Sequence, residues 1–326
     1  MFNNKTILIT GGTGSFGNAF ISHLLQNFKC KKIIIFSRDE LKQYNMQKKL
    51  EKFKNLRFFI GDVRDLSRLK LAFRGVDYVV HAAALKHVPI AEYNPLECIK
   101  TNIDGSSNVI TAALETKVKK VIALSTDKAV NPINLYGATK LCAEKIFVTA
   151  NALSGNLTNF SVVRYGNVLN SRGSIIPLIM KYKKEKKQNF PLTDNRMTRF
   201  FISLEGAVEF VIQSFENMDK GEIFVPKMPS VYIKDLIKAI SPKMIIKISG
   251  IRPGEKIDEI LISKDESAQT VELKNGYIIY PNNTFVISKL SKKIKQKKKL
   301  KDFEYNSRNN DNFLKAKQIE KILKKY

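Results

Sequence analysis

The chain has 326 residues, 44% of them apolar, which suits one large globular domain or two modest ones. Its net charge of +26 admits nucleic acid, an acidic membrane surface or anionic small substrates as partners, but most of the excess is Lys spread along the chain, a weak nucleic-acid signal. No apolar run reaches the ~18 residues of a membrane helix, Thr6 to Thr10 is too short for a signal peptide, and Cys30, Cys98 and Cys142 have neither metal nor disulfide spacing, so a cytoplasmic protein without membrane contact or bound metal is expected.

KTILIT (Lys5 to Thr10) reads as a buried strand. GGTGSFG follows it, then the helical pattern NAFISHLLQNF. Strand, Gly-rich turn and helix form the context in which three glycines spaced by three become a dinucleotide signal. Gly11 permits the tight turn, Gly14 lets backbone approach a pyrophosphate, and Gly17 lets helix pack on strand. Thr13, Ser15 and Phe16 share the turn and are candidates with them. The helix N-terminus favours the anion.

KIIIF (Lys32 to Phe36) is the second strand, and its end is where the adenosine ribose is read. Ser37 stands where an acid would accept from the ribose of NAD, while Arg38 and Lys42 suit the extra phosphate of NADP. The balance favours NADP, with Asp39 leaving NAD as the alternative. A third strand, LRFFI, precedes Asp62 and Val63, expected at the adenine. The fourth, Asp77 to Ala83, ends in the small residues Ala82 and Ala83, so a flat cofactor can lie on the backbone. Lys86 and His87 follow; Lys86 is a candidate for cofactor and substrate, and His87 receives no role. Asn102 opens a predicted helix, where it could bond helix backbone or order water.

The fifth strand, VIAL, runs into Ser125, Thr126, Asp127 and Lys128, then a turn at Asn131-Pro132 and a helix entered at Tyr136. Tyr136 and Lys140 are four apart and share one helix face. Polar groups therefore converge at the strand edge where open α/β sheets bind ligands. The alternation predicts an α/β fold: a Rossmann-type, doubly wound parallel sheet over residues 1–168. FSVVRYGNV (Phe160 to Val168) reads as its sixth strand. Residues 169–326 have irregular periodicity, expected of a smaller substrate-binding region interleaved with the sheet. KYKKEKK and KKIKQKKKLK read as solvated faces, and AKQIEKILKKY as a closing helix.

GGTGSFG, TDK, YGATK, RYGNV and RPGEK resemble the extended short-chain dehydrogenase/reductase family. Within it, HAAALKHVPIAEYNP and STDKAVNPINLYGATK resemble the inverting UDP-N-acetylglucosamine 4,6-dehydratases, which open the route to pseudaminic acid on bacterial flagellins. The resemblance spans Lys5 to Pro281 and resumes at Phe303; it is weakest from Ser288 to Lys301. It implies a homo-oligomeric lyase, a dimer or hexamer, acting on a UDP-sugar. It implies Tyr136 as base toward the sugar 4-hydroxyl, assisted by Lys140 and Thr126, with Val168 at the cofactor. It gives Lys128 the proton of carbon 5 and Asp127 the protonation of the leaving 6-hydroxyl. It gives the UDP part to Asn167, Arg199, Arg252 and Glu255, with Arg172 a further basic candidate. Lys128 must be neutral to act, and burial near Lys140 is expected to lower its pKa. The rivals are a retaining dehydratase or 4-epimerase on the same frame, and a cofactor-binding regulator whose basic surface contacts nucleic acid.

Overall fold

The computed structural model describes residues 1–171, 173–281 and 300–323; Arg172 and positions 292–299 of the Lys-rich run lie outside them. Six strands, β1 (Thr6–Thr10), β2 (Lys32–Ser37), β3 (Leu56–Ile60), β4 (Tyr78–His81), β5 (Lys120–Thr126) and β6 (Asn159–Tyr165), pair in parallel in the order 3-2-1-4-5-6. Helices alternate with them: α1 (Ser15–Asn27), α2 (Glu40–Lys49), α3 (Leu66–Phe73), α4 (Val88–Tyr93), α5 (Pro95–Ile99), α6 (Gly105–Glu115) and α7 (Leu135–Leu153). β1 is buried at every residue and β2 at all but Lys32, as a strand covered on both faces requires. The expected doubly wound sheet is therefore present. Its order reverses between β1 and β4, and a ligand crevice opens at such a switch point.

The remaining strands are β7 (Asn167–Val168), β8 (Asn189–Leu192), β9 (Thr198–Ile202), β10 (Ile223–Pro226), β11 (Ser230–Tyr232), β12 (Ile245–Ile248), β13 (Ile260–Ile262), β14 (Thr270–Glu272), β15 (Gly276–Ile279) and β16 (Tyr305–Asn306). β10 extends the sheet in parallel beside β6, and β15 and β14 close that edge antiparallel. With the helices α8 (Ile175–Lys184), α9 (Leu204–Asn217) and α10 (Ile233–Ile240) they form two cores. The larger runs from Phe2 through the sheet to Tyr305; the smaller gathers Leu169, Ile176, Phe190, Phe201 and Leu236 with Ile319. The late chain thus serves both cores, and the closing helix spans Ala316–Leu323.

One expectation is corrected. Phe160 to Val168 is not one strand: the chain leaves the main sheet after Tyr165, and β7 pairs with β9 in another sheet. The break falls at Gly166, where a Cβ would lie 2.6 Å from the Cβ of Phe200 and 3.2 Å from Asp127 Oδ2. Only a residue without a side chain lets the strand end cross so close to β9 and the polar end of β5.

Candidate active site

The Gly-rich turn is a backbone cradle. Gly11 has φ +65, and a Cβ there would lie 2.9 Å from Ala83 N at the end of β4. A Cβ at Gly17 would lie 2.3 Å from Gly12 O. Gly14 caps α1 without a side chain of its own to fill the helix N-terminus, an end that favours an anion. Asn18 Nδ2 braces the loop by donating to Thr13 O at 3.0 Å and Gly14 O at 2.9 Å. The residues expected at the adenosine are tied together as well. Ser37 is buried and receives Thr13 Oγ1 at 3.2 Å and Gln43 Nε2 at 3.1 Å. Arg38, 57% exposed, approaches Asp62 at 3.6 Å. Arg64 also bonds Asp62 at 2.8 Å; burial would raise that carboxyl, but Arg64 and Arg38 outweigh it and hold it low. Lys42 pairs with Asp39, whose other oxygen caps α2. Val63 packs against Gly105, where a Cβ would lie 2.7 Å from it. These residues fit a nicotinamide dinucleotide.

The candidate catalytic groups sit where β5 meets α7. Asn134 caps α7 by accepting from Gly137 N at 2.8 Å, and its Nδ2 donates to Gly254 O at 2.8 Å. It therefore ties the start of the helix to the RPGEK loop, a link that motif reading missed. Gly137 packs so closely that a Cβ would lie 2.2 Å from Lys128 O. That contact holds Tyr136 beside Thr126 and Lys128. Asn102 does not cap its own helix. It sits in a π-helical turn (Lys100–Asp104) and clamps Leu85 O at 2.9 Å and Thr139 Oγ1 at 3.0 Å, while its Oδ1 accepts from Leu85 N at 2.8 Å.

Lys140 is buried and donates to Leu124 O at 2.7 Å. Burial lowers its pKa to about 8, against the pull of Glu144. Burial also pushes Tyr136 up to about 12, although Lys128 and a Thr126 hydrogen bond pull it back. Thr126 Oγ1 donates to Asp127 Oδ1 at 2.9 Å. Asp127 is fully buried, and its Oδ2 has no hydrogen-bond partner among the described residues. Burial and the nearby Glu259 raise its pKa against the pull of Lys128 and Thr126.

Lys128 corrects an expectation. Burial does disfavour its charge, but Asp127 Oδ1 at 3.0 Å and Glu259 Oε1 at 3.2 Å outweigh burial and hold the amine above its ordinary range. Arg199 lines the same cavity as Lys128 and is braced by protein partners. It is buried, with donors on Thr198 O at 2.7 Å, Ile257 O at 2.8 Å and Lys256 O at 2.8 Å, and its Nε faces Glu259 at 3.6 Å. Arg252 does remain open, 62% exposed, 3.7 Å from Glu255, which also accepts from Thr193 at 2.8 Å. Glu259 was missed by motif reading, although it lies three residues beyond RPGEK.

The glycine turn, Ser37, Arg38, Lys42, Asp62, Thr126, Lys128, Tyr136, Lys140, Arg199, Arg252, Glu255 and Glu259 line one cavity of about 1330 Å³, which also takes in Lys86, His87, Asn167 and Val168. Its volume exceeds the ~300–1,000 Å³ usual for the pocket of one drug-sized ligand. Asp127 lies behind this wall; Lys128 and Glu259 form it. Among the described residues no helix is long and apolar enough to cross a membrane.

A parallel sheet switching at β1/β4, a glycine cradle and a Tyr136–Lys140 pair at the end of β5 define the extended short-chain dehydrogenase/reductase class. More narrowly, the family model described as polysaccharide biosynthesis protein matches residues 7–281, and the chain belongs to that family. The chain is 55% identical to a UDP-N-acetylglucosamine 4,6-dehydratase (inverting) of Campylobacter jejuni subsp. jejuni serotype O:2, over 99% of this chain and 98% of that protein. It is 48% identical to a UDP-glucose 4-epimerase of Rickettsia bellii, over 86% and 84% respectively. The X-ray structure of Pen from Bacillus thuringiensis superposes with a TM-score of 0.89 at 38% identity, covering 100% of this chain and 99% of that one. DesIV, a dTDP-glucose 4,6-dehydratase from Streptomyces venezuelae with NAD and TYD bound, shares the fold: TM-score 0.70, 20% identity, 77% of this chain and 86% of that one.

Proposed function

We propose that the chain is a UDP-N-acetylglucosamine 4,6-dehydratase that inverts carbon 5 and releases UDP-2-acetamido-2,6-dideoxy-β-L-arabino-hex-4-ulose. One observation carries this reading: Asp127 and Lys128 stand together, 3.0 Å apart, with Lys128 and Tyr136 on the cavity wall and Asp127 directly behind it. A 4-epimerase needs no acid–base pair toward carbons 5 and 6. The full-length similarity to the Campylobacter enzyme supports it.

The cradle at Gly11, Gly14 and Gly17 and the residues Ser37, Arg38 and Lys42 would hold NADP. When bound, that group supplies the acceptor for the hydride of carbon 4 and returns it at carbon 6. Tyr136 accepts the proton of the 4-hydroxyl, and Thr126 orients that oxygen. The Lys140 ammonium favours the phenolate form of Tyr136. The 4-ketone acidifies the proton on carbon 5, which Lys128 removes, while Asp127 protonates the departing 6-hydroxyl. Lys128 rests as an ammonium. One proton transfer across the 3.0 Å contact to Asp127 leaves a neutral amine and a carboxylic acid, the forms both roles require. Asp127 must then turn its acid toward the cavity. Arg252 pairs with the diphosphate, Glu255 accepts from sugar or ribose hydroxyls, and Asn167 and Lys86 complete the UDP contacts.

The proposal extends to a homo-oligomer, dimer or hexamer, and to the first step of pseudaminic acid synthesis for flagellin glycosylation, both carried by resemblance alone. A second reading, 4-epimerisation, is favoured by the similarity to the Rickettsia epimerase. Lys128→Ala separates the two. Loss of water elimination with the nucleotide cofactor still bound supports the dehydratase; unchanged turnover of UDP-N-acetylglucosamine removes Lys128 from the mechanism.

A further inference from the structure

Two carboxylates share one ammonium, and they are not equivalent. Asp127 Oδ1 lies 3.0 Å from Lys128 Nζ and also receives Thr126. Its Oδ2 is buried without a hydrogen-bond partner among the described residues, beside Gly166, where a Cβ would lie 3.2 Å from it. Glu259 Oε1 lies 3.2 Å from the same Nζ, and Glu259 is itself part of the wall at 2% exposure. It arrives from a distant part of the chain, just before β13, and its main chain is pinned on both sides. Ser307 N donates to Glu259 O at 2.9 Å, and Glu259 N donates to Ser307 Oγ at 2.9 Å. Arg199, braced by three carbonyls on β9 and the RPGEK loop, faces Glu259 at 3.6 Å.

We propose that Glu259 is a positioning residue: its carboxylate anchors Lys128 Nζ at the cavity wall and keeps the exchangeable proton on the Asp127–Lys128 pair. The proposal rests on the dehydratase roles given above to Asp127 and Lys128. The charged and titratable groups around Glu259 are Asp127 and Lys128 from the end of β5, Arg199 from β9 and Lys256 from the loop before β13. Burial alone would raise Glu259, but Lys128, Arg199 and Lys256 outweigh it and hold it ionised. That fixed negative charge raises both partners: it favours the acid form of Asp127 and the ammonium of Lys128. Two neighbouring carboxyls pushed in opposite directions are the usual mark of divided acid and base roles. Removing one charge at this range moves a neighbouring pKa by roughly one to three units.

The test has two arms. In carbon-13 carboxyl NMR of Asp-labelled full-length protein, the Asp127 signal is the one lost in Asp127→Asn. In the wild type it should titrate above ~3.9, the ordinary Asp value. In Glu259→Gln the midpoint should fall by roughly one unit or more, and in Glu259→Asp, which keeps the charge, it should stay near wild type. A wild-type midpoint at or below the ordinary value, or one unmoved in a folded Glu259→Gln, overturns the inference. In the second arm, both limbs of the pH profile for UDP-N-acetylglucosamine turnover should move to lower pH in Glu259→Gln. The value of kcat should fall at least ~10-fold with KM near wild type, and Glu259→Asp should restore the limbs. Unmoved limbs would show a merely structural carboxylate. A wild type that eliminates no water from this substrate sinks the dehydratase reading, while the NMR arm still decides the role of Glu259.

Discussion

Gly137→Ala sets two effects of opposite sign against each other. On helix propensity alone, alanine inside α7 should stabilise by about 1 kcal/mol. The new Cβ, however, would lie 2.2 Å from Lys128 O and 3.0 Å from Pro132 Cβ, against 3.4 Å for ordinary contact. The carbonyl deficit is 3.4 − 2.2 = 1.2 Å, and the obstacle is backbone, which cannot swing aside as a flexible side chain would. The helix must move off the Asp127–Ala129 turn by about that distance. Overpacking of this kind costs about 1–3 kcal/mol, so the net change is destabilising. The functional loss is larger, because Tyr136 rides on the same turn of helix as Gly137. A misplacement of ~1 Å in a reacting group costs about 10²-fold in rate. The assay pairs urea unfolding with turnover of UDP-N-acetylglucosamine. Lowered stability together with a kcat reduced about 100-fold is the expected outcome. A variant as stable as wild type and fully active would show that the contact does not set the geometry of the site.

Arg38→Ala should weaken NADP by about 10- to 100-fold, the worth of charge-assisted phosphate bonds, and leave NAD nearly unchanged; equal loss for both, by fluorescence titration, would remove Arg38 from the phosphate site. His81 lies buried under Lys140, between Thr10 Oγ1 at 2.8 Å and Ser106 Oγ at 3.3 Å. Burial, with help from Lys140, lowers its pKa to about 3. The unfolded chain therefore binds the extra proton first, so this contribution is whole above pH ~6.5 and is lost as pH falls toward 3. The ceiling is on the order of 5 kcal/mol. Urea midpoints followed over that window should fall less steeply in His81→Gln, and superimposable curves would exclude His81 as the titrating group.

Short-range chemistry was legible in the sequence and long-range chemistry was not. The glycine turn, the small end of β4 and the Tyr136–Lys140 spacing are local, and each appears where strand or helix periodicity puts it. The doubly wound parallel sheet follows from the alternation of strands and helices, while its order 3-2-1-4-5-6 is set by tertiary pairing that alternation leaves open. Glu259 was not legible, because nothing near it in sequence shows that it meets Lys128 from 131 positions away. The error about Lys128 has the same root: burial could be foreseen, but a second carboxylate that joins Asp127 in outweighing it could not. The resemblance gives Arg199 to the UDP part, and no local pattern shows the carbonyls that brace it, which come from Lys256 and Ile257 folded back beside β9. The break at Gly166 depends on Phe200, again a tertiary neighbour.

The central claim is elimination of water with inversion at carbon 5. It is tested most directly by incubating the protein with UDP-N-acetylglucosamine in heavy water and following the earliest product by proton NMR. If Lys128 removes the carbon 5 proton from one face and Tyr136 returns one to the other, the first product is the L-arabino 4-keto-6-deoxy sugar. It carries deuterium at carbon 5 and the unlabelled hydride from carbon 4 at carbon 6. A sole early product of D-xylo configuration would contradict inversion, and a 4-epimer that keeps its 6-hydroxyl would contradict the dehydratase itself.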